Sequence, residues 1–318
     1  MGDAVFVTGI SGFVGGWLAK ALVDKGYKVV GLMRDVSHDK SLQKLGIADK
    51  VTLVQGDILD QEVLERVLAE YKPKYVCHLA AQAIVSAALK IPAETFSINC
   101  VGTACLLEAC RKVHMPKGIL IFSTDKVYGE GMDKKESDTV SVTGIYETSK
   151  AVEEMIALSF MKSYDMPIVI SRACNIYGAF DDNSRIVPNT MSAIAMGFMP
   201  VVFSGDESLR EYIYVEDVCD AVIMLLENIE KTKGEVFNIG TGDIVNQKDL
   251  VMMICGVAGW KGGVDSRVKP VMPEIWKQSL DSGKIKVMFS WSPKYSLDVG
   301  LNMTWDIEFA KGGEKHAV

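Results

Sequence analysis

The chain has 318 residues, of which 48% are hydrophobic and 24% charged, and its formal net charge is -7. That is the make-up of a globular protein long enough for one large domain, or for a domain with a smaller partner. The acidic balance argues against nucleic acid or an anionic membrane as the main partner, and no apolar run reaches the roughly 18 residues of a membrane span.

Strand-like apolar runs occupy 4–8, 28–33, 51–55, 75–79, 119–123 and 168–171. Helical patterns lie between them at about 13–25, 60–71, 93–113 and 146–164. Short strands alternating with helices predict βαβ units and a parallel sheet. Near-continuous apolar strands, such as Gly-Ile-Leu-Ile-Phe at 118–122, suit a sheet covered on both faces. After about 175 the rhythm changes. The polar run at 181–184 reads as a loop, with short strands at 201–203, 212–214 and 236–239 and helices near 187–197, 216–229, 247–258 and 298–309. The expected architecture is α/β: a doubly wound parallel sheet with a smaller mixed α/β C-terminal lobe. Residues 1–175, with returning segments near 205–240, would form a dinucleotide-binding domain, and 176–318 an interleaved substrate-binding lobe.

Seven cysteines are present, an odd number, with no Cys-x-x-Cys pair, and four histidines show no zinc-ligand spacing. No metal is expected, and reduced thiols fit a cytoplasmic protein. A strand begins at Ala4 with no basic and then apolar leader before it, so no signal peptide is expected.

The first strand runs into Gly9-Ile-Ser11-Gly12-Phe13-Val14-Gly15, and a helix follows. A glycine-rich turn between a strand and a helix N-terminus offers free backbone N–H groups and the positive end of the helix dipole to a phosphate. Glycine also lets a pyrophosphate approach the backbone closely. The alternative is a plain tight turn. An NAD site would place an acidic residue at the end of the second strand; here Met33 stands there and Arg34 follows. A guanidinium suits the 2′-phosphate of NADP. With Arg34 merely solvated, Asp35 would serve the ribose and the cofactor would be NAD. Asp57 can accept from an adenine amino group with Ile58 on the ring, or cap a helix, although Asp60 fits the cap better. The fourth strand ends in His78-Leu79-Ala80-Ala81, where small residues let a cofactor lie across the sheet edge, and His78 reads as a packing residue.

Tyr146 and Lys150 stand four apart at the opening of a helical run, which puts them on one face. A nearby ammonium favours tyrosinate, so the phenol can work as a base nearer neutral pH, and the lysine can also hold a nicotinamide ribose. In this setting the sequence resembles the extended short-chain dehydrogenase/reductase family. The motifs are Thr8-Gly-x-x-Gly-x-x-Gly15, Gly56-Asp57, His78-x-Ala-Ala81, Asn99-x-x-Gly-Thr103, Ser123-Thr124, Tyr146-x3-Lys150, Arg172-x-x-Asn175-x-Tyr-Gly178 and Arg210-Glu-Tyr-Ile-Tyr-Val-Glu-Asp217. They span residues 3 to about 245. The resemblance implies a Rossmann-type nucleotide half and a lobe that binds a nucleoside-diphosphate sugar.

Ser123-Thr124-Asp125-Lys126-Val-Tyr-Gly129 looks like the nucleotide-sugar 4,6-dehydratases. The Asp-Lys pair, His78-Leu-Ala-Ala-Gln82 and Glu274-Ile-x-x-Gln278-x-Leu-Asp281 are similar to the CDP-glucose branch. Gly31-Leu-Met-Arg34 resembles the NADP-dependent GDP-mannose branch. The resemblance implies that Tyr146 takes the proton of the sugar 4-hydroxyl, Thr124 holds that oxygen, Asp125 is the acid for the departing 6-hydroxyl and Lys126 the base at C5. A lysine base needs a lowered pKa. The alternative for Asp125-Lys126 is an exposed ion pair in a turn. Asn175 and Arg210 match diphosphate-holding positions, and Arg185 is a further candidate; either arginine can instead be a surface charge. Asp281 can bind sugar or cap a helix, and Gln82 and Ser86 are candidates for the hexose. In the family, the helices at 93–113 and 146–164 pair into a homodimer; from the residues alone they can equally be buried within one chain. Three functions are therefore weighed: a 4,6-dehydratase, a 4-epimerase or reductase on the same scaffold, and a non-enzymatic dinucleotide sensor.

Overall fold

The computed structural model describes residues 2–35, 40–181, 185–202, 208–266 and 275–310, with Lys40 and Ala310 through their backbone alone. In chain order the first half contains β1 (Ala4–Thr8), α1 (Phe13–Asp24), β2 (Lys28–Met33), α2 (Lys40–Lys44), β3 (Val51–Gln55), α3 (Gln61–Tyr71), β4 (Tyr75–His78), α4 (Val85–Lys90) and α5 (Pro92–Phe96). A π-helical turn (Ser97–Val101) then leads into α6 (Gly102–Lys112) and β5 (Gly118–Thr124). After a 3₁₀ turn (Asp125–Tyr128) come β6 (Gly131–Lys134), α7 (Ile145–Tyr164), β7 (Ile168–Ala173), β8 (Asn175–Tyr177), α8 (Ile186–Ala195) and β9 (Leu209–Tyr214). The rest comprises α9 (Val215–Glu227), α10 (Ile229–Thr232), β10 (Val236–Ile239), β11 (Ile244–Asn246), α11 (Gln247–Val257), β12 (Lys277–Leu280), α12 (Gly283–Phe289) and α13 (Leu297–Trp305).

Two compact units emerge. The first comprises Met1–Gly129, Glu136–Ala173 and Val218–Ile239. Its seven strands lie in the order β10-β7-β5-β4-β1-β2-β3. Every neighbouring pair in it is parallel. This is the doubly wound Rossmann arrangement, in which ligands sit outside the carboxyl ends of the strands where the order reverses, here between β1 and β4. The expected α/β fold is borne out. The strands are apolar because both faces are covered. Phe6, Val76, Ile119, Ile121, Ile168 and Ile170 pack with Leu64, Leu68, Leu106 and Leu107 of α3 and α6 in one core.

The second unit comprises Glu130–Lys135, Cys174–Asp217 and Gly240–Val318. Its sheet runs β11-β9-β12-β6, with β8 on the other stretch of β9. β11 is antiparallel to β9, whereas β12 runs parallel to both β9 and β6. Glu211, fully buried on β9, accepts from the backbone N–H of Gly242 and Leu280 at 2.8 Å each and so ties the sheet to its loops.

Several boundaries differ from expectation. The helix expected over 93–113 runs from Pro92 to Lys112, with a π turn at Ser97–Val101 set into it and right-handed helical backbone at both junctions. Strands β6, β8, β11 and β12 were too short to show an apolar run. Of the strand expected at 201–203, Val201 forms an isolated bridge with Asp265, and Phe203 lies outside the described residues. Glu274 and most of the loop at 181–184 also lie outside them. No described helix is long and apolar enough to cross a membrane.

Candidate active site

The glycine loop follows β1. Gly9 takes φ +73°, a left-handed conformation that glycine adopts without strain. A Cβ there would lie 2.7 Å from the backbone nitrogen of Ala80, and one on Gly15 would lie 2.1 Å from the Gly9 carbonyl oxygen. The turn thus has room for backbone only. Helix α1 opens at Gly12 with no side chain capping its N–H groups, and its first turn has no acidic residue. These features fit a dinucleotide pyrophosphate. Ser11, Phe13 and Val14 are half-buried along this loop, and Ser41 donates to the Ser11 carbonyl at 3.1 Å.

Behind the loop a hydrogen-bonded chain fixes the end of β4. Thr103 Oγ1 donates to the Asn99 carbonyl at 2.6 Å, so it accepts from His78 Nε2 at 2.9 Å. His78 Nδ1 is then the acceptor for Thr8 Oγ1 at 2.7 Å. Thr8 Oγ1 in turn accepts from the backbone N–H groups of Leu79 and Ala80. Burial, with the Lys150 charge as a smaller cause, lowers the His78 pKa to about 3, so the ring is neutral and structural. Asn99 Oδ1 accepts from the Gln82 backbone at 2.7 Å while its Nδ2 donates to Ser149 Oγ at 2.8 Å. One buried amide thereby links the β4 loop to α7.

The remaining expected cofactor contacts lie around this frame. Arg34 is exposed just past β2, and Met33 is buried. Asp57 accepts from Leu59 N at 2.9 Å in a local turn, while Asp60 caps α3 by accepting from Val63 N at 3.1 Å. Ile58 is packed into the core, where it meets Gly102. Gln82 Oε1 accepts from Ile84 N, Ser86 is exposed on α4, and Ala81 is half-buried.

The carboxyl end of β5 brings together the residues expected to be catalytic. Thr124 Oγ1 donates to Asp125 Oδ1 at 3.0 Å and accepts from Lys126 N at 3.3 Å. Lys126 Nζ lies 3.6 Å from Asp125 Oδ1; the aspartate side chain is 1% exposed and the lysine side chain 24%. Asp125-Lys126 is therefore not an exposed pair in a turn. Helix α7 clamps the same strand end. Lys150 Nζ donates to the Phe122 carbonyl at 2.7 Å, and Glu154 accepts from Ser123 Oγ. Arg172 of β7 forks onto Glu154, with Nε to Oε1 at 3.0 Å and a terminal nitrogen to Oε2 at 2.5 Å. Burial works against the Arg172 charge, but Glu154 outweighs it and keeps the guanidinium charged. Tyr146 is buried at the start of α7, four residues before Lys150.

A family model described as the NAD dependent epimerase/dehydratase family matches residues 5–240. The chain belongs to the NAD-dependent epimerase/dehydratase family. The resemblance to extended short-chain dehydrogenases is thereby borne out. A dTDP-glucose 4,6-dehydratase of Xanthomonas campestris is 28% identical, over 94% of this chain and 91% of its own. A UDP-glucose 4-epimerase of Mycolicibacterium smegmatis is 29% identical, over 95% and 97%. The crystal structure of Thermus thermophilus UDP-glucose 4-epimerase in complex with NAD is 27% identical, with TM-score 0.87 over 96% of this chain and 98% of that one. Membership of the NAD-dependent epimerase/dehydratase family thus leaves two reaction types among the relatives.

In this family member the second unit carries the other expected contacts. Asn175 on β8 donates to the Glu211 carbonyl at 2.9 Å, and Asn175 pairs in register with Tyr212, two residues beyond Arg210. Arg185 precedes α8 and lies 3.7 Å from Asp181. Asp281 accepts from Gly283 N at 2.7 Å, a local turn ahead of α12. Sequence reasoning missed Glu153, a wholly buried carboxylate ion-paired with Lys150. The i, i+3 spacing from Lys150 was its signal. Among the described residues no cluster suits a metal ion.

Proposed function

We propose that the protein is a nucleotide-sugar 4,6-dehydratase. The observation that carries this reading is the Thr124–Asp125–Lys126 set, with Thr124 and Asp125 buried and Lys126 half-buried, on the strand end that Lys150 clamps. Gly9, Gly12, Gly15 and the uncapped start of α1 would hold the cofactor pyrophosphate, with Lys150 at the nicotinamide ribose. A bound nicotinamide would supply the acceptor for hydride from C4 of the sugar and the donor of that hydride to C6. Tyr146 accepts the proton of the 4-hydroxyl and Thr124 holds that oxygen. The C4 ketone acidifies the C5 proton, which Lys126 removes, while Asp125 protonates the leaving 6-hydroxyl; as hydride reaches C6, the Lys126 ammonium, its protons exchanged with solvent, returns a proton to C5. Asn175 and Arg210, with Arg185, would bind the diphosphate; Gln82, Ser86 and Asp281 would serve the hexose. The substrate is a nucleoside-diphosphate hexose, and the product a 4-keto-6-deoxy sugar.

Arg34, exposed beside the buried Met33, favours NADP, although the Thermus relative holds NAD. Parallel titrations with the two dinucleotides test this. Val101 and Met155, 52% and 68% exposed near α6 and on α7, support a homodimer through these helices. Light scattering of Met155→Glu, expected to be monomeric, tests that. Thiols at all seven cysteines fit the cytoplasm.

The decisive assay incubates the protein with CDP-glucose, GDP-mannose, dTDP-glucose and UDP-glucose in deuterated water. A product lighter by one water, with deuterium at C5, is expected. Inversion at C4 without loss of water would make it a 4-epimerase, a reading favoured by the Mycolicibacterium relative.

A further inference from the structure

Lys150 has two anchors, and only one is accounted for by clamping β5. Its ammonium donates to the Phe122 carbonyl at 2.7 Å and is ion-paired with the Glu153 carboxylate, one turn along α7. The side chains of Lys150 and Glu153 are 4% and 1% exposed. Glu154, the next residue, is already engaged by Ser123 and Arg172, so Glu153 adds a second carboxylate where strand clamping needs only one. A buried carboxylate against an ammonium cancels the charge that the ammonium projects on its neighbours. Tyr146 is such a neighbour, on the same face of α7.

We propose that Glu153 is a positioning residue for the Tyr146–Lys150 pair: it holds the Lys150 ammonium and, when ionised, offsets the charge that draws a proton from Tyr146. This rests on the reading of Tyr146 as the base. With Glu153 protonated, the lysine charge is uncompensated and tyrosinate is favoured; with Glu153 ionised, tyrosinate is disfavoured. The ionisations of the phenol and the carboxyl are thus coupled. Burial raises the Glu153 pKa to about 7 despite the Lys150 charge.

The other charges packed on α7 do not duplicate this role. Cys100 on the π turn feels Glu153 but is held up by burial, to about 11. His78 on β4 is neutral. Arg172 on β7 is taken by Glu154. Asp125 and Lys126 on the 3₁₀ turn face each other. On α6, Glu108 pairs with Arg111 and Lys112, and Lys90 and Glu94 on α4 and α5 are exposed.

The test is the pH titration of tyrosinate absorbance. The Tyr146→Phe spectrum is subtracted from wild type, and the double variant from Glu153→Gln. Glutamine is isosteric, its carbonyl oxygen can still accept from the Lys150 ammonium, and Lys150 keeps the Phe122 carbonyl, so the variant should fold, as circular dichroism verifies. The Tyr146 midpoint is expected to fall by about one pH unit in Glu153→Gln, as for a phenol next to an uncompensated cation. It should stay near wild type in Glu153→Asp, which keeps the charge. An unmoved midpoint in the glutamine variant, or equal shifts in both variants, would overturn the proposal. No sugar enters this experiment. A failed dehydratase assay beside a shifted midpoint therefore removes only the reading of the reaction, and an active dehydratase with an unmoved midpoint removes only Glu153.

Discussion

Lys150 on α7 donates its ammonium proton to the backbone carbonyl of Phe122 on β5 at 2.7 Å. The residue proposed to hold the nicotinamide ribose is therefore also a strut, holding the strand end whose next residues are Ser123, Thr124, Asp125 and Lys126. Lys150→Met should remove both roles. Turnover is expected to drop by about 10²–10⁴-fold. Amide exchange at 122–126 should rise while the rest of the sheet stays protected, which hydrogen-exchange mass spectrometry would check.

Arg172 and Glu154 form the second strut, and both are buried. Removing one member strands the other's charge. Glu154→Gln should therefore destabilise the protein by about 3–5 kcal/mol, read from urea unfolding. A loss within error of zero would mean that the guanidinium finds another partner, with the nearby Tyr128 ring, 4.6 Å away, as the first candidate.

Gly15→Ala places a methyl group 2.1 Å from the Gly9 carbonyl oxygen, and backbone must move to admit it. The expected cost is about 1–3 kcal/mol, with dinucleotide binding by calorimetry reduced more than stability. Gly256→Ala on α11, where a Cβ meets nothing within 4 Å and the backbone is not left-handed, serves as the control for binding.

Burial raises the Glu153 pKa from 4.5 to about 7. A carboxyl that holds its proton more tightly when folded stabilises the fold fully below its unfolded value. That contribution is lost as pH rises through about 7, a swing on the order of 3 kcal/mol. Glu153→Gln keeps its neutral side chain throughout. Its melting temperature should match wild type near pH 4 and exceed it by several degrees at pH 8. Parallel melting curves across this range would contradict the assignment.

If the dehydratase reading is right, Lys126→Ala should still oxidise C4 but stall before elimination. Reduced nicotinamide would then accumulate, visible by its absorbance. Asp125→Asn should stall at the same stage. A variant that instead turns over normally would take Lys126 out of the chemistry.

The parallel strands could be read from the sequence because each is a continuous apolar run between glycine or polar breaks, as in 4–8 and 118–124. The π turn inside the helix at 92–112 could not. Nothing in Ser97–Val101 marks a π turn, whose consequence is that the Asn99 amide reaches both Gln82 and Ser149. The polarity of α7 also misleads. Met155 looks like core and is exposed, whereas Glu153 and Glu154 look like surface and are buried. Their burial depends on Lys150 and Arg172 arriving from a neighbouring turn and a different strand. The three adjacent functional groups at 124–126 were legible as a set; their shelter from water was not.

The polypeptide contributes three separate stretches to each unit, changing over near residues 130, 136, 174, 218 and 240. No single cut or crossover releases either one intact. Recombination between paralogous genes therefore cannot exchange one whole unit for another in a single event. In such a lineage new substrate preferences have to accumulate residue by residue, which makes positions such as 125 and 126 the places where divergence between sister enzymes should be sought.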